Sequence, residues 1–223
     1  MSEARAAAAA AAVELVQPGM TIGLGSGRAL WKVLELLAQR GEPVRTVVAS
    51  SRTDEMARAA GFEVLALDGT FELDLAIDGA DEVDPSVGLI KGGGGALLRE
   101  KIVISAARRF VVVAEAAKKV ERLGQTFRLP VEVVRFGWQD THRRLGALVP
   151  DAVQRLREDG EPYITDEGHF ILDCQLPLDG DLAELGRSIK QLPGVVEHGL
   201  FIGMAESALL GHDDGSVETL TAR

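Results

Sequence analysis

The sequence predicts an α/β fold in two parts: a Rossmann-like domain built on a parallel sheet, and a smaller α+β (ferredoxin-like) domain. Apolar strand-like segments alternate with helical segments over the first 115 residues, with glycine-containing turns between them. Near-continuous apolar strands that alternate with helices are typical of a parallel sheet covered on both faces. The order of segments changes near Leu129-Pro130, which indicates a second unit.

The first unit is expected to contain nine elements. Helical composition and spacing predict four helices, at residues 3–16, 29–40, 52–61 and 96–108. Short apolar runs predict five strands, at residues 20–24, 46–50, 62–67, 73–78 and 109–115. Ligands of such sheets bind outside the carboxyl ends of the strands.

The second unit is expected to hold strands, helices and a hairpin over one sheet. We predict strands at 131–134 and 195–201, helices near 139–148, 151–158 and 181–192, and a hairpin over 163–176 that turns at 166–168. A turn at 213–215 indicates that the tail returns to the first unit. The predicted domains are therefore residues 1–128 with 205–223, and residues 129–204.

Composition excludes several classes of function. The net charge is -10 at pH 7 over 223 residues, which disfavours nucleic acid and a membrane surface as partners. The alanine run at residues 6–12 is flanked by glutamates, so it predicts a capped helix and not a secretory signal. No segment approaches the ~20 apolar residues that cross a bilayer, and we expect a cytoplasmic protein.

Cysteine and histidine give no sign of a metal or disulfide framework. Cys174 is the only cysteine, which excludes an internal disulfide and fits a reducing compartment. We interpret it as a small buried hydrophobic residue more readily than as a nucleophile. The histidines are too scattered to suggest a metal motif; they are His142, His169, His198 and His212.

The first chemically suggestive loop is "GLGSGRA", Gly23 to Ala29, between a strand and a helix. A dinucleotide fingerprint is rejected, because Arg28 occupies the place of its third glycine and the next strand ends in Ser50-Ser51 and not in an acid. Two interpretations stay open. Glycine amides, the Ser26 hydroxyl and a helix N-terminus are suited to one anion, and a tight turn with capping serines needs the same residues.

The second loop is "DGADEVD", Asp78 to Asp84, directly after a predicted strand. Asp78 and Asp81 should therefore lie at the carboxyl edge of the sheet. The spacing of the acids does not match a calcium loop. Close acids perturb one another's proton affinity, which suits proton transfer, but a solvated acidic turn has the same sequence.

The third loop, "KGGGGALLREKI", runs from Lys91 to Ile102. Four glycines let the main chain pass close to a ligand, at a cost of roughly 1 kcal/mol each relative to alanine in a helix. Glu100 then falls within the first two turns of a helix, where the helix dipole favours its charged form. The alternative is a surface helix preceded by a flexible hinge.

These three segments and "LPVEV", in this order and spacing, resemble ribose-5-phosphate isomerase of the A type. The later "ILDCQL", "PGVVEHGLF" and "DDGSVETL" are also similar to that family, so the resemblance covers nearly the whole chain. It implies interconversion of ribose 5-phosphate and ribulose 5-phosphate through an enediolate, in the non-oxidative pentose phosphate pathway. It also implies that no metal or organic cofactor takes part, and that the protein is a homodimer or a tetramer.

The resemblance also implies roles for particular residues. Glu100 would transfer the proton, Lys91 and nearby amides would stabilise the intermediate, and Asp78 or Asp81 would move protons among the hydroxyls. The implied substrate-binding residues are Gly25, Ser26, Gly27, Arg28, Asp78, Gly79, Ala80, Asp81, Lys91, Gly92, Gly93, Gly94 and Lys118. The family's first loop usually reads Gly-Thr-Gly-Ser-Thr, whereas here Arg28 and Ala29 replace two hydroxyls. The alternative function is a sugar-phosphate-binding or sensing domain without catalysis.

Overall fold

The computed structural model describes residues 2–222, and its elements are numbered here in chain order. The helices are α1 (Glu3–Val13), α2 (Arg28–Arg40), α3 (Ser51–Ala59), α4 (Leu97–Ser105), α5 (Trp138–Leu145) and α6 (Leu182–Lys190). The first seven strands are β1 (Thr21–Leu24), β2 (Arg45–Val48), β3 (Glu63–Val64), β4 (Leu75–Asp78), β5 (Glu82–Val83), β6 (Leu89–Ile90) and β7 (Phe110–Glu115). The later strands are β8 (Leu129–Val133), β9 (Val153–Gln154), β10 (Phe170–Cys174), β11 (Val195–His198), β12 (Leu200–Phe201), β13 (Ser207–Gly211) and β14 (Val217–Thr221).

The large sheet has the order β14-β13-β7-β4-β1-β2-β3. All neighbouring strands in it are parallel except β14, which pairs antiparallel with β13. The predicted parallel sheet is therefore confirmed, and the tail joins it through β13 and β14. The exact division at residues 129 and 205 stays a prediction, and its terminal residues 1 and 223 lie outside the described residues.

Helix α1 lies across this sheet because its side chains are small. Ser2 caps the helix by accepting a hydrogen bond from the Arg5 amide at 3.3 Å. A Cβ added at Gly211 would lie 1.8 Å from the Ala4 carbonyl oxygen, so the helix backbone runs directly against β13. This close packing brings Arg5 to the same end of the sheet as the strand-end loops.

The second unit has the chain order β8-α5-β9-β10-α6-β11, and its antiparallel sheet has the order β11-β8-β10-β9. This is the ferredoxin-like arrangement that the sequence predicts. Its helices cover a separate apolar core that includes Leu129, Val131, Leu172 and Cys174. Strands β5, β6 and β12 form a small third sheet beside the glycine segment.

Three sequence predictions are wrong in detail. No helix forms over 151–158, because residues 153–154 become β9 and the Arg155 amide donates to the Ile171 carbonyl at 2.8 Å. Only the second arm of the predicted hairpin is a strand, although the turn at 166–168 is present. The predicted strand over 195–201 divides at Gly199, where a Cβ would lie 2.2 Å from the Lys91 carbonyl oxygen.

The remaining predictions differ from the structure mainly in length. The predicted strand over 62–67 is reduced to Glu63–Val64, and no strand is predicted at the positions of β5, β6, β13 and β14. The other predicted elements are present with ends shifted by one to three residues. In the described part of the chain, no helix combines the length and hydropathy that a bilayer crossing requires.

Candidate active site

The three loops singled out in the sequence meet at the carboxyl ends of β1 and β4. These strands are parallel neighbours, with Leu24 beside Ile77 in the register, so the segments that follow them lie side by side. The Gly25 amide donates to the Ile77 carbonyl at 3.0 Å. Loops at this edge are the usual ligand site of such sheets.

The Asp78 carboxylate fixes the backbone of the first loop through hydrogen bonds. Its Oδ1 accepts hydrogen bonds from the Ser26 amide at 3.2 Å and the Gly79 amide at 2.7 Å. A Cβ added at Gly25 would lie 1.9 Å from the Asp78 carboxyl carbon. Glycine at position 25 is therefore required by the carboxylate that organises the loop.

Lys91 is buried in the middle of the site, with 3% of its side chain exposed. Its Nζ donates to the Gly79 carbonyl at 2.6 Å and lies 2.8 Å from Asp78 Oδ2 and 3.2 Å from Glu100 Oε2. The Gly79 carbonyl uses one of the three N–H donors of the ammonium, and the two carboxylate oxygens lie at ion-pair distance without another hydrogen-bond partner. Lys91 is thus shared between two buried carboxylates.

Glu100 lies in the first turn of α4, where the helix N-terminus favours negative charge. Its side chain is 5% exposed, and its Oε1 accepts a hydrogen bond from the Ser26 hydroxyl at 2.6 Å. Glu100 is also part of the pocket wall. A carboxylate held in this way is oriented to exchange a proton with a molecule in the pocket.

The charge balance of this cluster favours a retained proton. Burial raises the pKa of Asp78 to about 7, and the neighbouring Glu100 charge acts in the same direction against the opposing Lys91. Burial lowers the pKa of Lys91, but the two carboxylates more than offset this and raise it overall. Burial also raises the pKa of Asp81. Two carboxylates that share one ammonium can hold or release a proton near neutral pH.

The four consecutive glycines differ in what favours glycine at each position. Gly92 and Gly95 have φ of 107° and 82°, a region that disfavours side chains. A Cβ at Gly93 would lie 2.7 Å from Asp81 Oδ1. Gly94 has neither restriction, because its φ lies outside that region and no protein atom lies within 4 Å of an added Cβ. The open space beside Gly94 is part of the pocket.

The pocket between the loops has a volume of about 250 Å³. Twelve of the residues implied by the resemblance are brought to its wall: Ser26, Gly27, Arg28, Gly79, Ala80, Asp81, Lys91, Gly92, Gly93, Gly94, Glu100 and Lys118. Gly25 and Asp78 do not line the pocket and instead support its floor. The wall also contains Arg5, Ala29, Trp31, Val113, Ala114 and Glu115, which sequence reasoning missed.

The missed residues differ in how they could have been found. Trp31 is three positions after Arg28 in α2, so helical spacing places the two on one face. Arg5 has no comparable signal, because it stands in an alanine-rich helix far from the loops. Its Nη2 pairs with Glu115 Oε1 at 2.8 Å, across 110 residues of sequence, and only the packing of α1 on β13 brings it to the pocket.

The histidines, the other acids and the cysteine are the remaining candidates for a metal site or a nucleophile. Within residues 2–222, no group of three or more His, Cys, Asp or Glu side chains is placed to hold a metal ion. Cys174 is fully buried in the second core, and burial raises the pKa of its thiol to about 12. The thiol is therefore protonated at neutral pH, as expected for a small hydrophobic residue.

Comparison with known proteins identifies the family of the chain. A family model described as ribose 5-phosphate isomerase A (phosphoriboisomerase A) matches residues 45–215. The ribose-5-phosphate isomerase A of Synechococcus sp. (strain JA-3-3Ab) is 49% identical, over 98% of this chain and 96% of that protein. The ribose-5-phosphate isomerase A of Ruegeria pomeroyi is 46% identical, over 98% of this chain and 87% of that protein.

Solved structures of similar proteins have the same fold over nearly their whole length. Ribose 5-phosphate isomerase A from Methanocaldococcus jannaschii superposes with a TM-score of 0.92 at 36% identity, covering 97% of each chain. A D-ribose-5-phosphate isomerase solved in complex with phospho-erythronic acid also gives a TM-score of 0.92, at 32% identity and 97% coverage of each chain.

Proposed function

The chain belongs to the ribose 5-phosphate isomerase A family and isomerises ribose 5-phosphate, and we propose that Glu100 carries the proton in this reaction. The observation that supports the assignment is the cluster of Asp78, Lys91 and Glu100 at the base of the pocket. Of the two carboxylates in this cluster, Glu100 is the one that lines the pocket, and its Oε1 accepts a short hydrogen bond from the Ser26 hydroxyl.

The chemistry requires one base over two adjacent carbons. Moving the carbonyl from C1 of the aldose to C2 of the ketose requires a proton to leave C2 and return at C1. In the proposal, Glu100 takes the C2 proton and delivers it to C1, while a second proton moves between the two oxygens. A positioned base of this kind contributes typically ~10²–10⁴-fold.

The negative charge of the enediolate needs compensation. In the proposal, Lys91 supplies a fixed positive charge at the base of the pocket, with its Nζ 3.2 Å from Glu100 Oε2. Asp78 and Asp81 have raised pKa values, mainly because they are buried. We propose that Asp81, which lines the pocket, or Asp78, which lies behind the pocket wall, moves protons among the sugar hydroxyls, including opening of the ring.

The phosphate is proposed to bind at the cationic side of the pocket. Arg5, Arg28 and Lys118 all line it, and α2 begins at Arg28 with no side-chain cap on its first amides. Free helix amides and cations together favour a dianion. Binding energy from this remote group would hold the reacting carbons over Glu100.

A coupled assay of ketose formation tests the function. We expect the purified chain to convert ribose 5-phosphate to ribulose 5-phosphate at the same rate with and without EDTA. Loss of activity in EDTA would contradict the metal-independent mechanism. Thermal stabilisation by ribose 5-phosphate without any ketose would instead support the alternative of a binding domain.

Assembly and location complete the proposal. The resemblance to the family supports a homodimer or a tetramer, and the single cysteine supports a reducing cytoplasm. Light scattering coupled to size-exclusion chromatography distinguishes a subunit mass of 23.7 kDa from its multiples. A monomer at micromolar concentration would contradict the proposed assembly.

A further inference from the structure

The ferredoxin-like unit reaches the active site through two side chains that do not line the pocket. Arg155 Nη1 donates to the carbonyl oxygens of Gly92 at 2.8 Å and Gly93 at 3.1 Å. The Tyr163 hydroxyl donates to the Gly94 carbonyl at 2.9 Å. Three successive carbonyls of the glycine loop (Gly92–Gly95) are therefore held by another part of the fold.

Arg155 is itself held rigidly. Its Nε donates to Asp173 Oδ2 at 2.9 Å, and its Nη2 bonds the other oxygen of the same carboxylate. The two side chains are only 13% and 17% exposed. A bidentate pair of this kind fixes the plane of the guanidinium, so the third nitrogen presents its N–H groups to the loop in one direction.

Tyr163 packs closely against the glycine loop in addition to donating its hydroxyl hydrogen bond. Its ring lies 5.8 Å from the Arg155 guanidinium carbon, so the two side chains support each other. A Cβ added at Gly95 would lie 2.3 Å from the Tyr163 hydroxyl oxygen. The close approach of Tyr163 is a second reason, besides its φ, for glycine at position 95.

Holding these carbonyls determines where the amides point. In a planar trans peptide, the N–H is directed opposite to the C=O of the preceding residue. The Gly93 amide accordingly donates to Asp81 Oδ2 at 2.8 Å. The Gly94 amide, opposite the Gly93 carbonyl that Arg155 binds, has no acceptor among the described residues and borders the pocket.

We propose that Arg155 and Tyr163 are positioning residues that aim the Gly94 amide at the substrate oxygen on which negative charge develops. The inference rests on the proposed function. Lys91 Nζ lies within 3.2 Å of three protein oxygens, whereas the Gly94 amide has no such partner and can be directed at the substrate alone. A preorganised amide is suited to this task because it does not have to reorient during the reaction.

Steady-state kinetics of Arg155→Met tests the proposal. Loss of one oxyanion donor costs roughly 10²–10³-fold in kcat, and a misaligned donor should cost less, so we expect kcat to fall at least about tenfold. KM for ribose 5-phosphate should change less than about threefold, because Arg155 makes no hydrogen bond to the proposed phosphate-binding residues Arg5, Arg28 and Lys118. Phospho-erythronic acid has a carboxylate in place of the reacting carbons, and its Ki should rise by the same factor as kcat falls.

Arg128→Met is the matched control. Arg128 also joins the second unit together, donating to the carbonyls of Asp151 at 2.6 Å and Asp173 at 3.1 Å, but it makes no contact with the glycine loop. We expect this variant to keep kcat within about twofold of wild type even if its melting temperature falls. Equal kcat in the two variants would overturn the proposal.

Tyr163→Phe keeps the test decisive if Arg155→Met does not fold. It removes one oxygen atom and leaves the ring in place, and we expect kcat to fall about threefold with KM unchanged. Unaltered kcat in both folded variants would overturn the positioning role while the wild-type activity stands. Absence of activity in the wild-type chain would instead overturn the proposed function.

Discussion

Glu100 and Lys101 are neighbours in α4, yet they belong to two different buried groups of charges. The active-site cluster consists of Asp78, Lys91 and Glu100, in which two carboxylates share one ammonium. The second cluster consists of Lys101, Lys190, Glu197 and His198, in which two ammonium groups share one carboxylate. Apart from Lys190, whose side chain is 48% exposed, the members of both clusters are largely buried, and the two clusters differ in their balance of charge.

In the second cluster Lys101 is fully hydrogen-bonded, although burial lowers its pKa. Lys101 Nζ donates to Glu197 Oε1 at 2.9 Å and to the carbonyls of His198 at 2.6 Å and Leu200 at 3.0 Å. Burial raises the pKa of Glu197, but Lys101 and Lys190 outweigh it and lower the pKa to about 2. Burial lowers the pKa of His198 to about 4.

The difference separates a structural cluster from a reactive one. At neutral pH Glu197 is ionised and His198 is neutral, so the second cluster has one protonation state and joins α4 to the segment between β11 and β12. In the active-site cluster the pKa of Asp78 is about 7, so a proton can be held or released there. A buried carboxylate is therefore a candidate for proton transfer when the neighbouring cations do not fully neutralise its charge.

The largest expected effect is a loss of kcat when the Glu100 carboxylate of the active-site cluster is replaced. Glu100→Gln keeps the size and the contact with Ser26 but removes the base, so we expect kcat to fall roughly 10²–10⁴-fold with substrate binding nearly intact. Steady-state kinetics and ligand titration measure the two quantities. Retention of more than a tenth of wild-type kcat would contradict the role of Glu100.

Glu197→Gln is the corresponding change in the second cluster. It removes the shared carboxylate of two lysines, so it should lower the free energy of unfolding. Because Glu197 lies outside the pocket, we expect kcat of the folded variant to stay within about twofold. A loss of kcat comparable to that of Glu100→Gln would remove the distinction between the clusters.

The active-site cluster is readable in the sequence because its members stand in local motifs. Asp78 follows a strand, Glu100 follows four glycines, and the parallel sheet brings such loops together at one edge. The second cluster has no such signal. Lys101 and Glu197 are separated by 96 positions, and their contact depends on where the ferredoxin-like unit packs.

The errors in the predicted fold have the same origin. Residues 151–158 contain good helix formers, but the edge of β10 provides hydrogen bonds to Val153 and Arg155, and tertiary pairing overrides local propensity. Arg155 was consequently expected in a helix and not against the glycine loop. The sequence could not reveal residues whose roles depend on packing between distant elements, either between the two units, as for Arg155, or within the first unit, as for Arg5.

The next largest effect is on stability. Lys101→Met removes one partner of a buried ion pair and leaves two carbonyl acceptors without their donor, so we expect a loss of about 3–5 kcal/mol in the free energy of unfolding. Urea denaturation at pH 7 measures it, with kcat of the folded variant as the second readout. In the active-site cluster, Lys91→Met should lower kcat as well, and an unchanged kcat there would contradict its place in the mechanism.

The smallest expected effect is a difference in how stability depends on pH. The pKa of Asp78 is raised from 3.8 to about 7, so between these values the folded state binds more protons than the unfolded state. Its contribution to stability must then decrease as pH rises from about 4 to 7 and stay level above 7. The pKa of Glu197 is lowered from 4.5 to about 2, so its contribution is complete above pH 4.5 and is lost as pH falls toward 2.

Denaturation of wild type, Asp78→Asn and Glu197→Gln across this range tests the opposite signs. The stability of wild type relative to Asp78→Asn should fall by on the order of 2–4 kcal/mol from pH 4 to 7, since one pKa unit corresponds to about 1.4 kcal/mol. The stability of wild type relative to Glu197→Gln should be constant from pH 5 to 8 and should decrease below pH 4.5. A flat difference for Asp78→Asn would mean that its carboxylate is ionised throughout, and the two clusters would then be equally compensated.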